Sequence, residues 1–474
     1  MAELEAIIGL EVHAQMNTKT KMFCGCDNDA FGKEPNTTVC EICMGHPGTL
    51  PVPNKEAVIK AIRVSLALNC IVNPASHFDR KHYFYPDLPS GFQISQYDFP
   101  LASKGTVDYD LEGKEMRCGI TRLHMENDAG KLTHRGTVTL CDYNRAGTPL
   151  MEIVTEPDLR GPEEAVAFAT ELRRIIIAAN GSEADMFKGM MRFDASISLR
   201  EKGTQKLNPR SEIKNLNSFK ALERALQYEE NRLRTLWEES NGPLKGSITV
   251  GWMDDEGKTR MLRDKEDSAD YRYFPEPDIP PLRVDEKTIA ALRAELPPLP
   301  RALKNTYKTL GLGEAEAVML LDQPLTRALF DAVHAKTKDA KRASSLVLTQ
   351  LLGFLNAHEK TESDAPPVEA ILELVTVVDD GTISGNAAKT VLERMVLTGK
   401  VPRTIIAEEG MGQISDDGAL TEIVKKAIAA NPRAIEDFKN GKAAALGSIV
   451  GFVMKETKGQ ANPGKVQAIL SKLI

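Results

Sequence analysis

The 474-residue chain contains no apolar run of about 18 residues, the length a helix needs to cross a bilayer, so neither a membrane span nor a membrane partner is expected. It lacks a Gly-x-x-x-x-Gly-Lys-Ser/Thr loop and any Gly-x-Gly-x-x-Gly turn following a strand, so a standard backbone cradle for nucleotide phosphates is not indicated. There is no Gly-x-Ser-x-Gly elbow, and no cysteine outside one cluster sits in a nucleophile-like context, which argues against a self-contained amidase. No internal repeat or low-complexity tract interrupts the chain. The acidic start, Met1 to Glu5, has no basic region or cleavage site, and a cytoplasmic location is expected. Positive charge is also in deficit: the net charge of -7 argues against a protein that simply coats nucleic acid.

What is present is ordinary in bulk, with 42% hydrophobic and 27% charged residues, over a length that predicts two or three domains. Charge is unevenly placed. Residues 433–474 hold seven Lys/Arg and three Asp/Glu, so the tail is +4 and the body -11. A basic tail could touch phosphate locally; a solvated helical surface accounts for the charge equally well. Four of the seven cysteines crowd into Cys24-Gly25-Cys26 and Cys40-Glu41-Ile42-Cys43. In a cytosolic protein this spacing reads as a four-thiolate structural zinc site, closed to chemistry; a knuckle that keeps its cysteines without metal is the alternative. His46 is a further candidate ligand, read here as a surface histidine.

Chemistry concentrates on strand-like segments. In residues 7–14, Ile8, Leu10, Val12 and Ala14 fall on one face and Glu11 and His13 on the other. The same alternation sets Arg122, His124 and Glu126 against Leu123 and Met125, and Arg192, Asp194, Ser196, Ser198 and Arg200 against Phe193, Ala195, Ile197 and Leu199. Glu212 and Lys214 flank Ile213. Glu152 lies among apolar neighbours, costly for a carboxylate unless it is paired or bound to a cation. Glu11, His13, Glu126, Glu152 and Glu212 thus form an oxygen-rich candidate magnesium set, while Arg200 and Lys214, with Asp194 and Ser196 nearby in sequence, are available to a nucleotide. Solvated charged strand faces would look the same in pattern.

The expected fold is α+β: an N-terminal cradle on a mostly antiparallel sheet with covering helices, then an all-α domain and an α-helical tail. Pro162 with Glu163 and Glu164 opens one covering helix, and Ser218 caps another. The loops at 77–89 and 270–278 are dense in aromatic and charged residues and read either as functional segments or as packed covers of the sheet. The stiff break at 296–300 and the hinge around Pro402, Gly410 and Gly412 set expected domains at 1–295, 296–405 and 406–474. Helices are predicted at 299–311, 313–321, 324–337 and 342–358, from Ser384 to Gly399, and in the tail at 417–430, 433–457 and 463–473, the last capped by Asn462. The small-residue stretch 443–448 permits close helix contact there.

Taken together, Ile8-Gly9-Leu10-Glu11-Val12-His13-Ala14-Gln15, Lys21-Met22-Phe23-Cys24-Gly25-Cys26, Tyr85-Pro86-Asp87-Leu88-Pro89, Asp142-Tyr143-Asn144-Arg145-Ala146-Gly147-Thr148-Pro149-Leu150, Glu212-Ile213-Lys214-Asn215-Leu216-Asn217-Ser218-Phe219 and Asp270-Tyr271-Arg272-Tyr273-Phe274-Pro275-Glu276-Pro277-Asp278 closely resemble the GatB family, the B subunits of tRNA-dependent Asp/Glu amidotransferases. The resemblance runs nearly end to end and includes a YqeY-like tail. It implies ATP-dependent phosphorylation of the side-chain carboxylate on Glu-tRNA(Gln) and/or Asp-tRNA(Asn), then amidation with ammonia from a separate GatA amidase, with GatC bracing the pair. It implies magnesium held or bordered by Glu11, His13, Glu126, Glu152 and Glu212, and a helical region and tail that hold the tRNA. Asn127 stands where the family usually has Glu, and residues 188–194 depart from its commoner acidic version, which affects the surroundings of the site. The rival expectation is a zinc-stabilised tRNA-binding scaffold without chemistry of its own.

Overall fold

The computed structural model describes residues 3–264, 271–412, 417–439, 446–457, 461 and 463–473. The fold is α+β, in two compact units, Met1–Ala302 and Leu303–Ile474. The division falls a few residues beyond the 296–300 break, within the helix Pro300–Thr309.

The first unit is organised on a nine-stranded sheet. Across it the strands run Lys258–Asp264, Ile248–Met253, Ser211–Leu216, Met191–Glu201, Leu4–Gln15, Pro149–Thr155, Lys114–Asn127, Ala102–Leu111 and Ile71–Val72. Every pairing is antiparallel except that of Ser211–Leu216 with Ile248–Met253. The expected alternation is realised in the central strand, Leu4–Gln15: Ile8, Leu10, Val12 and Ala14 are fully buried. They join Ala61 and Val64 of α1 (Lys55–Ala67), Phe168 and Leu172 of α2 (Pro162–Ala178) and Leu222 and Leu226 of α3 (Phe219–Ser240) in one core. Ser218 caps α3 through the Ala221 N–H, and Pro162 lies in the first turn of α2 beside Glu163 and Glu164, where a missing N–H costs nothing and the helix dipole favours acids. With the apolar face covered, the opposite face carries the polar residues. A second sheet of Phe274–Pro275, Asp79–His82 and Phe92–Ser95 unites the two aromatic loops. There Arg80 donates two hydrogen bonds to Glu276, at 2.7 and 2.8 Å.

The second unit is helical among its described residues apart from an isolated residue and connecting segments. Pro300–Thr309, Glu314–Asp322 and Pro324–Thr337 match the expected helices. The one expected at 342–358 begins at Ala340 and is broken by a π-helical turn over Ser345–Leu351. Val368–Asp379 and Pro402–Glu409 are additional to the expected helices: Pro367 and Pro402 stand at helix starts, where proline is tolerated, so the residue expected to mark a hinge at 402 instead opens a helix. Ser384 and Gly399, the latter at φ +68°, cap Gly385–Thr398 at its two ends as expected. Two separate apolar clusters occur, one around Phe330, Leu374 and Leu392, the other around Leu420, Ile449 and Val466. The tail segment expected as one helix, 433–457, is described as Pro432–Lys439 and Leu446–Glu456. Asp270, Ala443 to Ala445, Lys458 and the Asn462 cap lie outside the described residues. Among the described residues no helix is long and apolar enough to cross a membrane.

Candidate active site and thiol cluster

Strand register builds the site. One row crosses four strands as His124, Glu152, His13 and Arg192; the next holds Arg122, Val154, Glu11 and Asp194; a third holds Gly9, Ser196 and Glu212. Because side chains alternate with period two, the polar members of these rows share the sheet face turned away from the helices. His13 Nε2 lies 3.3 Å from Glu152, 3.5 Å from Glu11 and 3.9 Å from Glu126. His124 Nε2 stands 3.5 Å from Glu152 and 3.9 Å from Glu126. All but Glu11 are buried.

The electrostatics are those of buried acids matched by neighbouring imidazoles and an ammonium. Burial alone would lower the His13 pKa, but the carboxylates of Glu152 and Glu126 raise it. Burial opposes ionisation of Glu152, and His124 and His13 hold its carboxyl well below the ordinary range. Glu126 is likewise lowered, by His124 and by the Lys81 ammonium among others. Glu11, desolvated and facing Glu152, is raised. Lys81 is kept charged against its burial by Glu126, Tyr273 and Glu152.

Of the five expected metal ligands, Glu11, His13, Glu126 and Glu152 converge. Ligand atoms draw together in two overlapping sets, Glu11–His13–Asp194 and His13–Glu126–Glu152. Asp194, expected to serve a nucleotide, therefore joins the acids. Glu212 belongs to neither set among the described residues; it is tied in through Lys214, whose Nζ lies 2.8 Å from Glu212 and 2.7 Å from Asp194. Arg200 pairs with Glu5 at 2.7 Å, six residues along the strand from Asp194 and so about 20 Å away.

Other members were not assigned to the site from sequence. His124 was visible in the alternating pattern. Asp128 receives hydrogen bonds from Arg192 at 3.1 Å and from Gln15 at 2.9 Å, and Ser95 Oγ donates to Glu126 at 3.2 Å. Asn127, the departure from the family pattern, accepts the Ile94 N–H at 2.8 Å and so secures the Phe92–Ser95 strand beside Glu126. The small second sheet, which carries parts of both aromatic loops, thus brings Lys81 and Ser95 to the cluster.

A divalent cation fits this donor set: carboxylate oxygens with one imidazole, converging on one face of the sheet, and a His13 Nδ1 left without a hydrogen-bond partner. Separately, Cys24, Cys26, Cys40 and Cys43 bring their sulfurs within 4.8 Å of one another, a candidate metal site; His46 is not among the converging ligands. Hydrogen bonding from the Cys24 thiol, the Cys40 N–H at 3.1 Å and the Lys21 ammonium 3.7 Å away bring the Cys43 pKa down to about 5.

A family model described as the GatB/GatE catalytic domain matches residues 6–290. The chain belongs to the GatB family. A second GatB domain matches residues 328–474. The B subunit of the aspartyl/glutamyl-tRNA(Asn/Gln) amidotransferase of Moorella thermoacetica is 47% identical, the comparison covering 99% of each chain. The corresponding proteins of Carboxydothermus hydrogenoformans (46%, over 99% of this chain and 98% of that one) and Brevibacillus brevis (43%, over 100% and 99%) are similar along their whole lengths. Membership of GatB was the family expected from the motifs.

Proposed function

We propose that this chain is the subunit that activates misacylated tRNA for amidation. The side-chain carboxylate of Glu-tRNA(Gln) or Asp-tRNA(Asn) attacks the γ-phosphorus of ATP, ADP leaves, and an acyl phosphate forms. Ammonia then adds to that carbonyl carbon, phosphate departs, and a proton is lost to give the amide. The relatives' names carry the two aminoacylated tRNAs, as aspartyl/glutamyl-tRNA(Asn/Gln), and as amidotransferase B subunits they imply GatA and GatC partners, GatA being the ammonia source.

The observation that carries the reading is the convergence of Glu11, Glu126 and Glu152 on His13 from three strands. Glu11, His13, Glu126, Glu152 and Asp194 would hold magnesium, with Glu212 bordering. Magnesium, when bound, neutralises the phosphates and the substrate carboxylate so that two anions can approach. Lys214 and Lys81 present ammonium groups on either side of the acids, suited to phosphate oxygens and to the developing charge. His124 orients Glu152 and Glu126, and the cover carrying Ser95 and Lys81 excludes water. The four cysteines suit zinc in a structural role, since four thiolates leave no open position. The helical unit divides, in this reading, into a domain to about 405 and a tail from 406 that hold the tRNA, and the protein works in the cytoplasm.

The test adds the chain to its partner subunits and follows ATP-dependent phosphate release with each misacylated tRNA. Glu126→Ala and His13→Ala are expected to abolish release. Unchanged release in both would remove this site and favour the scaffold reading, which the intact set of acids and imidazoles argues against.

A further inference from the structure

Phe31 and Phe187 are 55% and 90% exposed, on loops far apart in sequence, yet their rings meet at 6.3 Å between centroids, tilted by 58°. Lys188 Nζ lies 5.8 Å from the Phe31 ring centroid. Neither loop is loosely held. The Phe31 N–H donates to Asp29 at 3.2 Å and the Phe187 N–H to Asp185 at 2.9 Å, aspartate-capped turns, and each loop reverses on a glycine in the left-handed region, Gly32 and Gly189, both at φ +71°. Two large apolar rings are therefore held out into solvent by built turns rather than left there by a frayed chain.

They rim a cavity of about 820 Å³ that is also lined by Gln15 and Arg145. Gln15 follows His13 by two residues on the same strand face, and its amide donates to Asp128, the partner of Arg192. Gln15 thus links the cavity lining to the Asp128–Arg192 pair, and Arg192 sits beside His13 in the row that forms the candidate active site. Lys33, Lys131 and Lys188 are among its lining residues; Lys33 is paired with Asp27 at 2.5 Å, and Lys131 has no ion-pair partner among the described residues. The acids there have internal work: Asp29 receives the Phe31 N–H, Asp142 the N–H groups of Asn36 and Asn144, and Glu183 lies 3.7 Å from Lys188.

We propose that Phe31 and Phe187 form a stacking platform for an unpaired nucleobase at the acceptor end of the aminoacylated RNA, guiding it along the cavity toward His13. Exposed aromatic faces flanked by ammonium groups are how single strands are gripped without reading sequence, since every base has a π-face and every linkage a phosphate. The nucleotide that donates phosphate is the other source of a base. The openness of the rim, with Phe187 almost wholly in solvent, suits a polymer end that must enter and leave rather than a small nucleotide enclosed on all sides. The inference rests on the proposed reading of the site, because it supplies the substrate whose end is positioned.

The experiment uses the complete chain with its partner subunits and compares wild type, Phe31→Ala, Phe187→Ala and Phe187→Trp. Steady-state KM is measured separately for misacylated tRNA and for ATP, and binding is measured for tRNA with and without its unpaired 3′ nucleotides. A stacked base is worth about 5- to 150-fold, so each alanine variant is expected to raise KM for the RNA within that range, leave KM for ATP unchanged, and bind trimmed tRNA as wild type does. Phe187→Trp should restore RNA binding. An unchanged RNA KM, an equal loss with trimmed tRNA, or a rise in KM confined to ATP would each overturn the platform. Absence of phosphate release in wild type would instead sink the proposed function itself.

Discussion

The two units of the chain handle charge in opposite ways. In residues 1–302, Lys21, His13, His124, Glu126, Asp128, Glu152 and Glu229 are all buried. In the helical unit, the buried polar side chains among the described residues are Thr326, Ser344 and Thr457, with no acidic or basic one. Removing an ionised group from water costs several kcal/mol unless it is matched by partners, so a chain built for stability alone would resemble its second unit. The first unit carries that cost along one sheet face, where strand register makes the charges converge. The contrast teaches where to look: in the sheet unit function lies inside, among groups that neutralise one another, whereas any function of the helical unit must lie on its exposed surface.

Asp128 gives the sharpest way to break this comparison. Burial would raise its carboxyl, but the guanidinium groups of Arg192 and Arg145 hold it well below the ordinary carboxylate range. A folded-state pKa below the unfolded value of about 3.9 means that its stabilisation is present above that pH and is lost as pH falls toward the folded value. Asp128→Asn, which leaves the half-buried Arg192 unmatched, is expected to cost about 3 kcal/mol at pH 7. Its deficit should shrink as pH drops below about 4, measured by urea midpoints between pH 3 and 7. A pH-independent deficit would mean that the pair is not the source of the stability. For the helical unit the expectation is the reverse. Leu392, buried among Phe330 and Leu374, has only apolar packing to lose on truncation; Leu392→Ala should cost about 2–3 kcal/mol at every pH in the same titration. A pH-dependent loss there would expose a charge network that the apolar burial pattern does not contain.

How much of this was legible in the sequence follows from the range of the forces involved. Period-two alternation around Glu11 and His13 and the caps Ser218 and Ser384 are local signals, and the elements they imply are present. The site was legible as a list of residue types but not as a geometry. Nothing local says that His13 faces Glu152 on one side and Arg192 on the other; register between strands more than a hundred residues apart decides it. That is why Asp194 moves among the acids, why Glu212 stands one step removed behind Lys214, and why Arg200, chemically suitable for phosphate, is engaged by Glu5 at the far end of its strand. Lys81 and Ser95 were hidden for another reason: they arrive on a small second sheet whose third strand, Phe274–Pro275, comes from nearly two hundred residues later. In the helical unit the hinge expected at Pro402 is the first turn of a helix, and the helix after Pro367 carried no cap that the sequence made visible.

The smallest effect concerns the surface of that unit. If its function lies outside, the +4 balance of residues 433–474 should matter through phosphate binding rather than through folding. Lys455 and Lys472 lie in the last turns of the helices Leu446–Glu456 and Pro463–Leu473, where positive charge also complements the helix dipole. Replacing either by Ala is expected to leave urea stability within about 0.5 kcal/mol and to lower tRNA affinity only a few-fold. It should also reduce the slope of log affinity against log salt by about one for each phosphate that the lysine had neutralised. The slope is the decisive readout, because a general loss of fold would weaken binding without altering how many counterions are released. An unchanged slope in the double variant would show that the tail's charge is a solvated face, and the division of labour between an inner working sheet and an outer RNA-holding surface would have to be drawn elsewhere.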